Sequence, residues 1–239
     1  MFIAEMLTKI FGAFTIRTKE NIRLKIFITS IMDLSYIDSS QNNLLKKYIN
    51  ILNVEDIFVD VGANIGYYSI LASKRVGDKG TVYSFEPSGR EYKRLLDNIV
   101  LNDCRNIIPY NFALSNYQGN SIFLISEKHT GLNKLGSENI ENTKQYRVPV
   151  FLLDRVITNS KEIALIKIDV EGAEFLVLLG MTELLKQGKV KYLIIEITPK
   201  FLKEFGHRKE MIYDLLDRYG YSPLIKENSW QYDEVFFKK

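Results

Sequence analysis

Carboxylates in this chain recur where apolar runs stop. Residues 164–168, ALIKI, lead straight into Asp169, and Glu171 and Glu174 follow close behind. Gathering three acids this tightly is costly unless they do something. Acids at a helix start complement its dipole, which accounts for Glu174. Asp169 ends a core strand on the edge where ligands bind, so a functional role is expected for it. Residues 190–195 repeat the device and end in Glu196, and His207 follows beyond Pro199. Asp169, Glu171, Glu196 and His207 are therefore the candidates for taking a proton from a reacting group, and Asp169 has a second reading as the holder of a ligand's amino group. His129, alone in a polar stretch, reads as a solvated bystander. No metal is assigned; a divalent cation gathered by the carboxylates is a subordinate reading, testable by sensitivity to a chelator.

A second constellation is VDVGANIG at residues 59–66, which follows the apolar Ile57 and Phe58 and precedes a helical pattern. A buried strand that stops at a glycine and hands over to a helix makes a tight turn, with free N–H groups aimed at polar or anionic ligand atoms. Gly62, Asn64 and Gly66 are candidate ligand contacts. Asp60 is either another contact or the residue that holds the turn through backbone N–H groups. The next apolar run, residues 81–85, ends in Glu86, where a ribose-binding carboxylate is expected. The bland alternative is that Glu86 caps the helix after Pro87. Strand, turn, helix, strand and acid in that order favour a nucleotide-like ligand. The dinucleotide pattern G-x-G-x-x-G is not met, because Ala63, Asn64 and Ile65 separate Gly62 from Gly66.

These residues need a scaffold, and the periodicities supply one. Leu44, Leu45, Tyr48, Ile49 and Leu52 share helical spacing ahead of the first core strand, which suits a lid or wall over the ligand cleft. Residues 88–101 read as a surface helix with Ser88 as N-cap. Residues 106–114 read as a third strand, and Asn111 and Ala113 beyond its middle fall on the ligand-facing edge, within reach of an adenine. Residues 121–125 and 146–150 read as strands around a long polar loop, 127–144, assigned to substrate recognition or a mobile flap. A helix over residues 208–219 precedes a hairpin pair at 221–225 and 234–238. The expected division is a helical N-terminal extension or lid, 1–50, and an α/β domain, 51–239, built on five parallel strands and that terminal hairpin.

Hydrophobic residues at 46% and charged ones at 26% over 239 residues suit a globular core. The net charge of +3 is carried entirely by residues 1–30; the neutral remainder argues against a broad nucleic-acid face. The single cysteine, Cys104, excludes an internal disulfide and a cysteine-based zinc site and fits a reducing, cytoplasmic setting. Residues 1–16 are apolar but interrupted by Glu5 and Lys9, and too short to span a bilayer. With Phe2, Met6, Ile10 and Phe14 along one face they read as an amphipathic helix, which covers the domain's own sheet or cleft, packs in an oligomer, or lies on an anionic membrane surface. Residues 22–28 begin with the alternation of a half-exposed strand.

Four motifs taken together, VDVGANIGYYS at 59–69, SFEP at 84–87, ALSN at 113–116 and KIDVEGAE at 167–174, resemble the FkbM-type methyltransferases. The resemblance covers residues 51–196, its last motif is the most specific, and Leu153 and Asp154 match a further family feature. It implies a Rossmann-like class I methyltransferase sheet, mostly parallel with an antiparallel C-terminal strand and helices on both faces. It also implies S-adenosylmethionine as cofactor, bound by Asp60, Gly62, Asn64, Gly66, Glu86, Asn111, Ala113 and Asp169. The reaction implied is methyl transfer to an oxygen, typically a hydroxyl of a sugar, glycan or polyketide-type natural product, with no nucleic-acid partner. Three alternatives stand beside it: a nicotinamide-dependent oxidoreductase, which the glycine spacing disfavours; methylation of RNA or protein, weakened by the neutral charge; and a non-catalytic S-adenosylmethionine-binding module. Neither the acceptor nor the oligomeric state follows from these motifs.

Overall fold

The computed structural model describes residues 13–27, 43–126, 134–135, 143–158, 161–224 and 230–239. In chain order the strands are β1 Phe14–Arg17, β2 Arg23–Ile26, β3 Ile57–Val61, β4 Thr81–Phe85, β5 Ile107–Tyr110, β6 Ala113–Leu114, β7 Gly119–Ser126, β8 Lys134–Leu135, β9 Thr143–Phe151, β10 Ile163–Ile168, β11 Val190–Ile197, β12 Tyr221–Pro223 and β13 Tyr232–Lys238. The helices are α1 Asn43–Asn50, α2 Tyr67–Val76, α3 Gly89–Leu101, α4 Leu153–Val156, α5 Glu174–Leu179, α6 Thr182–Lys186, α7 Pro199–Glu204 and α8 Lys209–Arg218.

A seven-stranded sheet in the order β12-β13-β11-β10-β3-β4-β5 carries the domain. β11, β10, β3, β4 and β5 run parallel, while β13 is antiparallel to both β11 and β12. This is the arrangement the motifs imply. β3 and β10 are buried along their whole length because both faces of the sheet are covered. Alternate residues go to opposite sides, as strand geometry requires. Val59, Ile166 and Ile195 pack with α5, α6 and α8, whereas Phe58, Leu165 and Ile194 pack with α2 and the N-terminal elements. The chain runs outward from β3 through β4 to β5 and returns to β10 on the other side of β3. The switch point, where a crevice opens at the carboxyl ends of parallel strands, therefore lies between β3 and β10.

The N-terminal expectation needs correcting. Phe14 lies in a strand, not a helix, and β1 and β2 form an antiparallel hairpin. Ile22, Leu24 and Ile26 are buried, and the hairpin is fastened to α3 where Asn102 and Asn98 accept the Arg23 and Lys25 backbone N–H groups at 2.9 and 2.8 Å. Leu45 and Ile49 of α1 enter the same core, so the described part of the first fifty residues backs the sheet and does not roof the cleft. Residues 1–12, with the membrane and oligomer readings attached to them, lie outside the described residues. So do His129 and most of the 127–144 loop.

The expected third strand is interrupted. β5 ends at Tyr110, Asn111 turns the chain by donating to the Glu86 and Pro87 carbonyls at 2.8 and 3.1 Å, and β6 joins a second sheet, β6-β9-β7-β8. β7 and β9 pair antiparallel over Gly119 to Ser126, as the two flanking apolar runs predict. Cys104 is buried in the core as a free thiol. Among the described residues no helix is long and apolar enough to cross a membrane.

Candidate active site

A cleft of about 830 Å³, open mouth included, lies over the ends of β3, β4 and β10. Its floor is the turn after β3. The Gly62 and Ala63 N–H groups both donate to the Phe85 carbonyl at 3.0 Å, bending the backbone across the end of β4. Gly62 has φ +80°, and a Cβ there would stand 1.9 Å from the Asp169 carbonyl oxygen. No other side chain fits where β3 and β10 approach so closely. Asn64, at φ +50°, donates its N–H to Glu86 at 2.8 Å, and its Oδ1 is buried with no partner among the described residues. Asn64 itself lines the cleft, and a buried acceptor without a partner is a group that a ligand donor would satisfy.

Glu86 both braces the turn and faces the cleft. One oxygen accepts from Asn64 and the other from the Ser88 N–H at 2.8 Å, ahead of α3, while the carboxyl also lines the cleft. Burial, only partly offset by the two N–H groups, pushes it up to about 8. Phe85, Phe112, Leu114, Phe123 and Leu135 form an apolar wall, the last from the stretch assigned to recognition. Phe112 stacks obliquely on Phe85 at 5.6 Å between centroids.

The structure sorts the expected cofactor residues. Gly62, Asn64, Glu86, Ala113 and Asp169 line the cleft. Asp60, Gly66 and Asn111 stand behind it. Asp60 is fully buried, accepts from the Ser69 hydroxyl at 2.5 Å and lies 3.5 Å from the Lys167 ammonium, so it braces the turn through side chains and does not line the cleft. Gly66, at φ +87°, is needed because a Cβ would meet the Leu95 side chain at 2.3 Å: it seats α2 against α3.

Lys167 is the residue sequence reasoning passed over. Its ammonium lies 3.0 Å from Asp169 and donates to the Gly62 carbonyl at 3.1 Å, tying the ends of β3 and β10 together beneath the cleft. The signal was present: a lysine inside IALIKI, a strand buried at every position, must have a partner.

Of the expected proton acceptors, Asp169, Glu171 and Glu196 come together, each offering a carboxylate oxygen within 4.8 Å of the others. Burial, then the charges of Asp169 and Glu171, hold the Glu196 carboxyl well above the ordinary range, so it favours its protonated form beside Asp169. The trio also has the oxygen donors a divalent cation takes. Glu171, at φ +55°, faces the cleft. Glu174 does what the dipole reading expects and more: one oxygen accepts the Gly172 and Val170 N–H groups at 2.9 and 3.3 Å, holding the turn that presents Glu171. His207 does not join them. Its ring packs on Phe175 at 4.9 Å, burial lowers its pKa, and it is not part of the cleft lining. Asp154 accepts the Glu183 and Leu184 N–H groups at 2.9 and 3.0 Å, capping α6 away from the chemistry.

A parallel sheet with a terminal antiparallel strand, a glycine turn after its central strand and an acid ending the next define a class I methyltransferase-like fold. The family model described as the methyltransferase FkbM domain matches residues 60–223, and the chain belongs to that family. AglP, a hexuronic acid methyltransferase of Haloferax volcanii, is 29% identical over 147 residues, covering 60% of this chain and 56% of that protein. The chain thus spans little more than half the length of that relative. Among solved structures, methyltransferase FkbM from Methylobacillus flagellatus KT superposes with a TM-score of 0.51 at 17% identity, covering 80% of this chain and 47% of that one. SMU.1697c from Streptococcus mutans, solved in complex with SAH, gives a TM-score of 0.50 at 11% identity over 82% of this chain and 96% of that one. Both likenesses are of fold.

Proposed function

We propose that the chain transfers a methyl group from S-adenosylmethionine to a hydroxyl of a saccharide or related natural-product acceptor. The observation that carries this reading is the pairing of the Gly62 turn, with its unpartnered Asn64 Oδ1 and the Glu86 carboxyl, to the Asp169 and Glu171 carboxylates lining the same cleft. The saccharide follows the Haloferax relative, a hexuronic acid methyltransferase.

The residues fit the donor. Asn64 and Glu86 would hold its polar nucleoside edge, the Phe85 and Phe112 wall its base, and Asp169 its amino-acid end. When bound, S-adenosylmethionine supplies an already activated methyl group. The protein's remaining work is to orient the acceptor oxygen and remove its proton. Glu171 would take that proton. Asp169 is engaged by Lys167, and Glu196 favours its protonated form.

Calorimetry with S-adenosylhomocysteine and transfer of labelled methyl to a panel of oligosaccharides test the reading. Binding of the nucleoside with label in a sugar product is expected. Folded protein that gives no heat with either cofactor form would end it.

A further inference from the structure

Beside the cleft, and sharing Pro87 with it, runs a second groove of about 1310 Å³ counted to its open mouth. Among the described residues its charged lining side chains are all basic: Arg90 from α3, and Lys144 and Arg147 from β9. In a chain whose net charge beyond residue 30 is neutral, that is a local excess of one sign. Arg90 contacts Glu91 through Nε at 2.6 Å, which leaves the other end of its guanidinium available. Arg147 is exposed and has no ion pair with any described residue. The groove takes in the first turn of α3, a helix of thirteen residues whose leading N–H groups have no partners within the helix. Tyr146, 49% exposed, supplies an aromatic surface, and its register partner on β7 is Phe123 of the cleft wall.

We propose that this groove is an anion subsite for the acceptor: an oxyanion borne by a saccharide, either a uronate carboxylate or a phosphate ester, sits among Arg90, Lys144 and Arg147 while a sugar ring lies on Tyr146. Planar guanidinium forks suit both oxyanions, and an aromatic face suits the apolar side of a pyranose. The inference rests on the saccharide reading above and adds the acceptor's charge. Because the groove adjoins Glu86 and not the Glu171 end of the cleft, the anchored anion is remote from the methylated hydroxyl, and the acceptor is an extended saccharide or one with a distal charged group.

The test is calorimetry on the full chain with S-adenosylhomocysteine present, using a glucuronic acid disaccharide, glucose 6-phosphate and a neutral glucose disaccharide as probes. At least one anionic probe is expected to bind about tenfold or more tightly than the neutral one, with the advantage shrinking in high salt. Preference for the glucuronate or for the phosphate names the source of the anion. Arg147→Glu should abolish that preference with nucleoside affinity and melting temperature unchanged, and Lys144→Ala should halve it or more. Equal binding of charged and neutral probes, or an Arg147→Glu protein that keeps the preference, overturns the anion subsite and leaves the saccharide reading standing. If no saccharide binds while the nucleoside does, both fall.

Discussion

Lys167 of β10 and Asp60 of β3 face each other at 3.5 Å across the centre of the sheet, and the same ammonium holds Asp169 at 3.0 Å. The side chains of Lys167 and Asp60 are only 6% and 1% exposed, so neither charge has water to fall back on. Lys167→Met is expected to cost about 3–5 kcal/mol, because it strands a buried carboxylate. Urea denaturation measures this. Adding Asp60→Asn should recover part of the loss, and a single variant that costs nothing would show that the ammonium is not the compensating charge.

The outline of this arrangement was legible in the sequence because it rests on local patterning. Five apolar runs gave the parallel strands, and an acid or glycine closing four of them marked the ligand edge. Lys167 escaped notice because its role depends on strand order: only with β10 beside β3 does it meet Asp60. Asp60 and Gly66 could not be sorted from the motif for the converse reason, since a motif position reveals that a residue matters and not whether it faces a ligand, the turn or Leu95. The β1–β2 hairpin was missed beyond its second strand because two four-residue strands carry too little periodicity to be told from a helix end.

The two glycines of the turn should separate binding from packing. Gly62→Ala forces a Cβ against backbone at 1.9 Å, while Gly66→Ala meets only the tip of Leu95. Gly62→Ala is expected to weaken S-adenosylhomocysteine by about tenfold or more, the turn being rebuilt at the cleft floor. Gly66→Ala should instead lower stability by about 1–3 kcal/mol through its φ of +87°, with affinity kept in the folded fraction. Calorimetry beside thermal melts distinguishes the two patterns; equal affinity losses would contradict them.

Glu171 and Glu196 share a cluster and should not share a phenotype. If Glu171 takes the acceptor's proton, Glu171→Gln lowers turnover by about 10²–10⁴-fold with nucleoside affinity unchanged. Burial and acidic neighbours favour the protonated form of Glu196, so a glutamine there resembles that form and turnover should fall by less than about tenfold. Single-turnover rates for both variants check this, and the reverse ranking would move the base to Glu196.

Two buried glutamates give the pH dependence a sign. Glu174 is pushed up to about 7 and Glu86 to about 8, both mainly by burial. The folded chain therefore keeps protons that the unfolded chain releases, and stability falls as pH rises from about 5 toward 8. The contribution is complete below the unfolded pKa and gone once pH passes the folded one. Glu174 uses a single oxygen for both of its N–H donors, so Glu174→Gln can place its carbonyl there and should flatten the lower part of that slope, gaining at most about 3 kcal/mol over wild type between pH 4 and 8. Glu86→Gln removes a titration of the same sign but sets an amide nitrogen against the N–H of Asn64 or Ser88, since each Glu86 oxygen accepts one of them. A protonated carboxyl keeps a lone pair on both oxygens, and an amide nitrogen offers none. Glu86→Gln is thus expected to lose about 1–3 kcal/mol at pH 5, where Glu174→Gln is near neutral. Denaturation midpoints of both variants across that pH range decide the matter, and two parallel curves would show that the paired N–H groups do not hold Glu86 in place.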